Sequence, residues 1–81
     1  MKSKEIPLYK LAIGKTAMVK KIICDGYSRR RLLDLGITKN STIKAERKSP
    51  SSNPIAYNIR GSIIALRNEE AKNIIVIPLN L

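Results

Sequence analysis

Histidine, phenylalanine and tryptophan are absent from this 81-residue chain, which has one cysteine and three tyrosines. Without histidine, Ser-His-Asp and Cys-His catalysis are excluded. One cysteine cannot form a disulfide within the chain and cannot build a zinc finger. It fits a reducing compartment. Acids are scarce: six Asp and Glu stand against sixteen Lys and Arg, a formal charge of +10. Uninterrupted apolar runs reach only four residues. A membrane-spanning helix needs roughly 20. No apolar stretch follows Lys2 and Lys4, so no secretory signal is read there. The expectation is one soluble, intracellular, non-enzymatic domain over residues 1–81, with residues 1–4 frayed.

The positive balance attracts phosphates, acidic protein surfaces and the anionic inner membrane leaflet alike. A basic nucleic-acid-binding barrel is therefore one alternative. Single-strand binders stack bases on aromatic platforms, and three tyrosines (Tyr9, Tyr27, Tyr57) offer few. The charge is also scattered, except at Lys20-Lys21 and Arg29-Arg30-Arg31. Scattered lysines equally serve solubility alone.

What remains is a pattern of short strands and turns. Leu8, Leu11 and Ala12 fall at i, i+3, i+4, which predicts a helical turn ended by Gly14. Thr16 to Ile23 reads as a strand, with Lys20-Lys21 breaking its alternation as a bulge would. Cys24-Asp25-Gly26 is a turn. Ser28 to Leu35 reads as a helix capped by Ser28 and stopped by Gly36, with Ile37 supplying the apolar contact after the stop. Thr38 to Ser41 is a turn in which Asn40 takes positive φ. Thr42 to Lys48 alternates, with Ile43 and Ala45 inward. Residues 49–54 are a Ser/Pro loop. Ile55, Tyr57 and Ile59 share the inner face of the next strand. Arg60-Gly61-Ser62 reverses the chain, and Gly61 is the residue that reversal depends on. A return strand runs from Ser62 to Arg67. Asn68 caps a short turn carrying Glu69 and Glu70, and Ile74 to Ile77 is a last strand ended by Pro78. About five short strands and one helix after the first predict an all-β fold, a small antiparallel barrel.

The order of these motifs carries a resemblance. Arg30-Arg31-Leu32-Leu33-Asp34-Leu35-Gly36-Ile37 leaves the helix. Pro54-Ile55-Ala56-Tyr57-Asn58-Ile59-Arg60-Gly61 then leads to Ile64-Ala65-Leu66-Arg67-Asn68-Glu69-Glu70-Ala71. Over residues 5 to 79 the chain resembles the ferrous-iron transport protein A family of bacteria. The resemblance implies an SH3-like barrel with a helix after its first strand. It also implies a cytoplasmic accessory of a membrane ferrous-iron transporter that carries a GTPase domain. That family usually has Gly in the turn after the helix, where this chain has Lys39-Asn40. Asn is the next-best residue for positive φ, so the turn is expected to survive.

The chemistry of the chain itself points away from metal and nucleotide. Iron sites use His, carboxylates and Cys. The only local pair here is Cys24-Asp25, so no metal ligand and no cofactor are assigned. Gly14-Lys15-Thr16 resembles the end of a P-loop, but the Gly four residues earlier is missing. Arg29, Arg30 and Arg31 are the candidate partner-binding residues, with Leu33 as an apolar anchor beside them. Three arginines in a first helical turn would oppose the helix dipole at about 0.3–1 kcal/mol each. A choice that is locally unfavourable can mark a functional site. The bland reading is a solvated basic face. An exposed strand edge, open to a partner or to a second copy of the chain, is the other candidate surface.

Overall fold

A computed structural model describes residues 4–79. Residues 1–3, most of the segment expected to fray, lie outside the described residues. Six strands and two helices follow in order: β1 (Ile6–Pro7), β2 (Thr16–Ile22), α1 (Gly26–Asp34), β3 (Thr42–Lys48), β4 (Ile55–Ile59), β5 (Ser62–Leu66), α2 (Asn68–Ala71) and β6 (Ile74–Pro78). All pairings are antiparallel, in the order β1-β6-β2-β3-β4-β5. The sixth strand, β1, is the one the sequence pattern misses, because two residues carry no alternation. Among the described residues no ladder joins β1 to β5, and α2 packs instead against a 3₁₀ turn at Leu8–Lys10.

Alternation decides which side chains meet. Ala17 and Val19 from β2, Ile43 and Ala45 from β3, Ile55, Tyr57 and Ile59 from β4, and Ile74 and Val76 from β6 form one buried core. Val19 and Lys21 mark a register shift against β6, the bulge expected at Lys20-Lys21. A second shift, between Ala45 and Arg47, bends β3 against β4. Each extra residue sharpens the local twist, and that twist curls so short a sheet around its own core.

Tyr57 is fully buried, and its hydroxyl has no hydrogen-bond partner among the described residues. Burial pushes its pKa up to about 12, because the phenolate would lose its solvation.

The turns differ from expectation in instructive ways. The helical turn ends at Lys10, where Leu11 is already extended. Gly14, with φ +88°, belongs to a separate turn closed by the Lys15 N–H on the Ala12 carbonyl at 3.0 Å. α1 starts at Gly26, not after Ser28, and Asp25 precedes it without a side-chain cap. α2 is preceded by Arg67 rather than capped by Asn68; the Arg67 N–H donates to Glu70 Oε1 at 3.1 Å. Asn40 adopts φ +74°, as the turn requires. The Asn40 N–H donates to the Val19 carbonyl and the Val19 N–H to the Ser41 carbonyl, both at 2.8 Å, fixing the end of the α1–β3 connection to β2.

Candidate functional site

α1 is too short to be stable alone, since isolated helices need about 12–15 residues even in favourable sequences. Two things hold it. Leu32 is buried in the core, a contribution of about 1.5–3 kcal/mol for a side chain of that size. At its end, the Gly36 N–H reaches the Leu33 carbonyl at 2.9 Å and the Ile37 N–H reaches the Leu32 carbonyl at 3.1 Å. That is the Schellman pattern, and Gly36 supplies its left-handed residue at φ +92°. Ile37 follows, fully buried, as the expected apolar contact.

This anchoring separates the three arginines. With α1 beginning at Gly26, they occupy the middle of the helix, and Arg31 lies in its last turn, where a cation favours the dipole. The expected dipole penalty therefore does not apply. Arg31 turns toward α2, and its Nε donates to Glu70 Oε2 at 2.7 Å. That bond raises the Arg31 pKa and holds the Glu70 carboxyl below its usual range. It is the one ion pair among the described residues. Arg29 donates from Nη1 to the Ile22 carbonyl at 3.2 Å, which brings it against the end of β2.

Arg29, Arg30 and Leu33 fall on one side of α1 and, with Gly26 and Asp34, line a shallow surface groove of about 370 Å³. Leu33 is 40% exposed. The structure thus unites three of the four expected partner residues and places Arg31 elsewhere. Arg31 lines a second groove, of about 410 Å³, between α1 and α2, with Tyr27, Glu69 and Glu70.

Sequence reasoning passed over Tyr27 and Glu70. Tyr27 is 83% exposed at the start of α1, and the sequence counted it only as one of three tyrosines. Glu70 meets Arg31 across 39 residues of chain, a separation that leaves no local signal. Gly61, at φ +87°, does sit in the reversal assigned to it, but it shares the strain with Arg60 at φ +53°.

The described residues hold no group of three or more His, Cys, Asp or Glu that could bind a metal ion. Cys24 is half-buried and free. Among the described residues, no helix is long and apolar enough to cross a membrane.

Residues 6–78 match the family model described as the FeoA domain. No curated protein matches the chain. Solved structures do. A FeoA-like protein from Clostridium acetobutylicum is 34% identical, with a TM-score of 0.89, over 100% of this chain and 93% of that one. The FeoA protein from Chlorobium tepidum is 33% identical, with a TM-score of 0.85, over 93% and 71%. FeoA from Stenotrophomonas maltophilia, complexed with zinc and described as an SH3 domain protein, is 27% identical, with a TM-score of 0.76, over 85% and 86%.

Proposed function

The chain belongs to the FeoA domain family, and from that premise we propose that it is a single-domain, non-enzymatic accessory of bacterial ferrous-iron uptake, docking in the cytoplasm on the GTPase-bearing part of the membrane transporter. FeoA domain proteins are linked to ferrous-iron transport. The observation that carries the reading is the family match, which spans nearly every described residue. Its S. maltophilia relative has been put forward as a ferrous-iron-transport activating factor. The absence of histidine is consistent with iron being handled by the partner and not by this chain.

The contact proposed is the outward side of α1. Arg29 and Arg30 supply charge for an acidic surface, and Leu33 supplies an apolar anchor. Arg31 is left out, because Glu70 already occupies it. Regulation then requires that the partner's two states bind this face with different affinity; equal affinity would shift nothing.

A pull-down from bacterial membranes, in moderate salt and after nuclease treatment, tests both parts. Three baits are compared: the wild type, the combined Arg29→Ala, Arg30→Ala, Leu33→Ala variant, and Arg31→Ala. The wild type and Arg31→Ala are expected to recover the transporter, identified by mass spectrometry, and the combined variant to lose it. Equal recovery by all three would remove α1 as the contact. Recovery of nucleic acid alone in a parallel pull-down without nuclease, and of nothing after nuclease treatment, would overturn the accessory role in favour of a nucleic-acid-binding barrel.

A further inference from the structure

The two ends of the sheet are built differently. β1 is two residues long and contains Pro7, the kind of short, proline-bearing edge that resists pairing. β5, at the other end, is five residues long and reads Ser-Ile-Ile-Ala-Leu, with no charge and no proline.

Which of its backbone groups are free follows from the hairpin. β4 and β5 are joined by the two-residue loop Arg60-Gly61, whose positive φ values of +53° and +87° belong to the tight turns that close such hairpins. The closing pair, Ile59 with Ser62, exchanges hydrogen bonds, and bonded pairs alternate with unbonded ones from there. Ile64 and Leu66 therefore bond to β4. Ile63 and Ala65 point their N–H and C=O groups away from it. Among the described residues, no turn, loop or side-chain hydrogen bond reaches those four groups. Both side chains lie on the outer face, and Ile63 is 57% exposed.

Charge indicates what would pair there. Arg60 and Arg67 bracket the strand, and both are exposed. Rows across the outer face run from Ile63 through Asn58 to Lys44, and from Ala65 through Ala56 to Arg47. A second copy of the chain would bring +10 against +10, a repulsion that opposes self-pairing. We propose that the β5 edge is a docking site for an extended segment of an acidic partner protein, added antiparallel or parallel as a seventh strand through the backbone of Ile63 and Ala65. Ladder bonds would supply affinity, and Arg60 and Arg67 would select acidic side chains at the ends of the segment. This surface is separate from α1, so its failure would leave the docking of α1 intact.

The test uses the isotope-labelled full chain and two synthetic peptides. Each has alternating valine and threonine; one carries glutamates at both ends, the other lysines. With the acidic peptide at millimolar concentration, the amides of Ile63 and Ala65 are expected to shift in heteronuclear NMR spectra. Their hydrogen exchange should slow by about tenfold or more. The basic peptide should do neither. Ala65→Pro removes an N–H that β4 does not use, so it should abolish the response and leave the other amides in place. Should that variant unfold, Ile63→Pro makes the same test at the other outward position. Unchanged Ile63 and Ala65 amides, or an equal response to both peptides, would overturn the proposal. Protection of these amides by a concentration-dependent dimer without peptide would overturn the choice of an acidic partner.

Discussion

Tyr57 shows how one residue can serve the core and still carry a cost. Its ring is the largest fully buried side chain, and the strand alternation of β4 puts it there. Its hydroxyl is carried along without a partner among the described residues. A buried, unsatisfied hydroxyl costs about 1–3 kcal/mol, whereas losing one oxygen leaves almost no cavity. Tyr57→Phe is therefore expected to stabilise the fold by about 1 kcal/mol. The urea midpoint should rise with no change in slope. A lower midpoint would mean that the hydroxyl is hydrogen-bonded after all. At the same scale, Arg31 and Glu70 show a functional reading dissolving into a structural one. A cation that looked available in the sequence is held by a carboxylate 39 residues away. What stays available is Arg29, Arg30 and Leu33, and nothing in their local sequence distinguishes the two arginines from Arg31.

At the scale of the element, α1 is the part whose start and stop were not equally legible. Its stop was readable, because Leu-Gly-Ile contains the left-handed residue and the apolar contact that a Schellman ending needs. Its start was not. Ser28 is a good capping residue, but the helix begins two residues earlier, at Gly26. Gly36 therefore carries much of the helix's definition. A Cβ there would meet Arg60 Cδ at 3.7 Å and Ile59 Cγ2 at 3.9 Å, which is ordinary packing distance. The penalty for Gly36→Ala is thus backbone strain alone, about 1–2 kcal/mol. Thermal unfolding should show that loss, while the circular dichroism of the folded variant stays that of the wild type. A loss above about 4 kcal/mol would point to a steric clash that this geometry does not contain. The β3 bulge at Glu46 is a second case. The residues from Thr42 to Lys48 alternate well enough to be read as a regular strand, and only pairing with β4 exposes the extra residue.

The whole molecule is dominated by its charge. A chain of +10 with one ion pair among its described residues repels itself when compact. Salt shortens the range of that repulsion to about 10 Å at 0.1 M and about 3 Å at 1 M. The melting temperature is expected to rise between 10 mM and 500 mM sodium chloride, by a few degrees for a domain of this size if screening recovers about 1 kcal/mol. Differential scanning calorimetry at constant pH would show it. A melting temperature that falls with salt would mean that attractive pairs outweigh the repulsion. The same excess charge steers the molecule toward acidic surfaces and away from its own copies, which is why an acidic partner is favoured at both α1 and β5.

The amino-acid sequence by itself determined the fold class, most strand positions and the turns at Asn40 and Gly61. Those depend on neighbours along the chain: alternation puts Ile55, Tyr57 and Ile59 on one side, and positive φ is open to few residues. It also excluded histidine-based catalysis by composition alone. Tertiary structure decided which arginine is engaged, which sheet edge is left bare, and that β1 exists. The first and last are settled by a partner distant in sequence, Glu70 for Arg31 and β6 for β1, and the edge at β5 by the absence of any strand beyond it among the described residues. Local propensity carries no information about such partners, because they meet only when the bulged strands bend around the core.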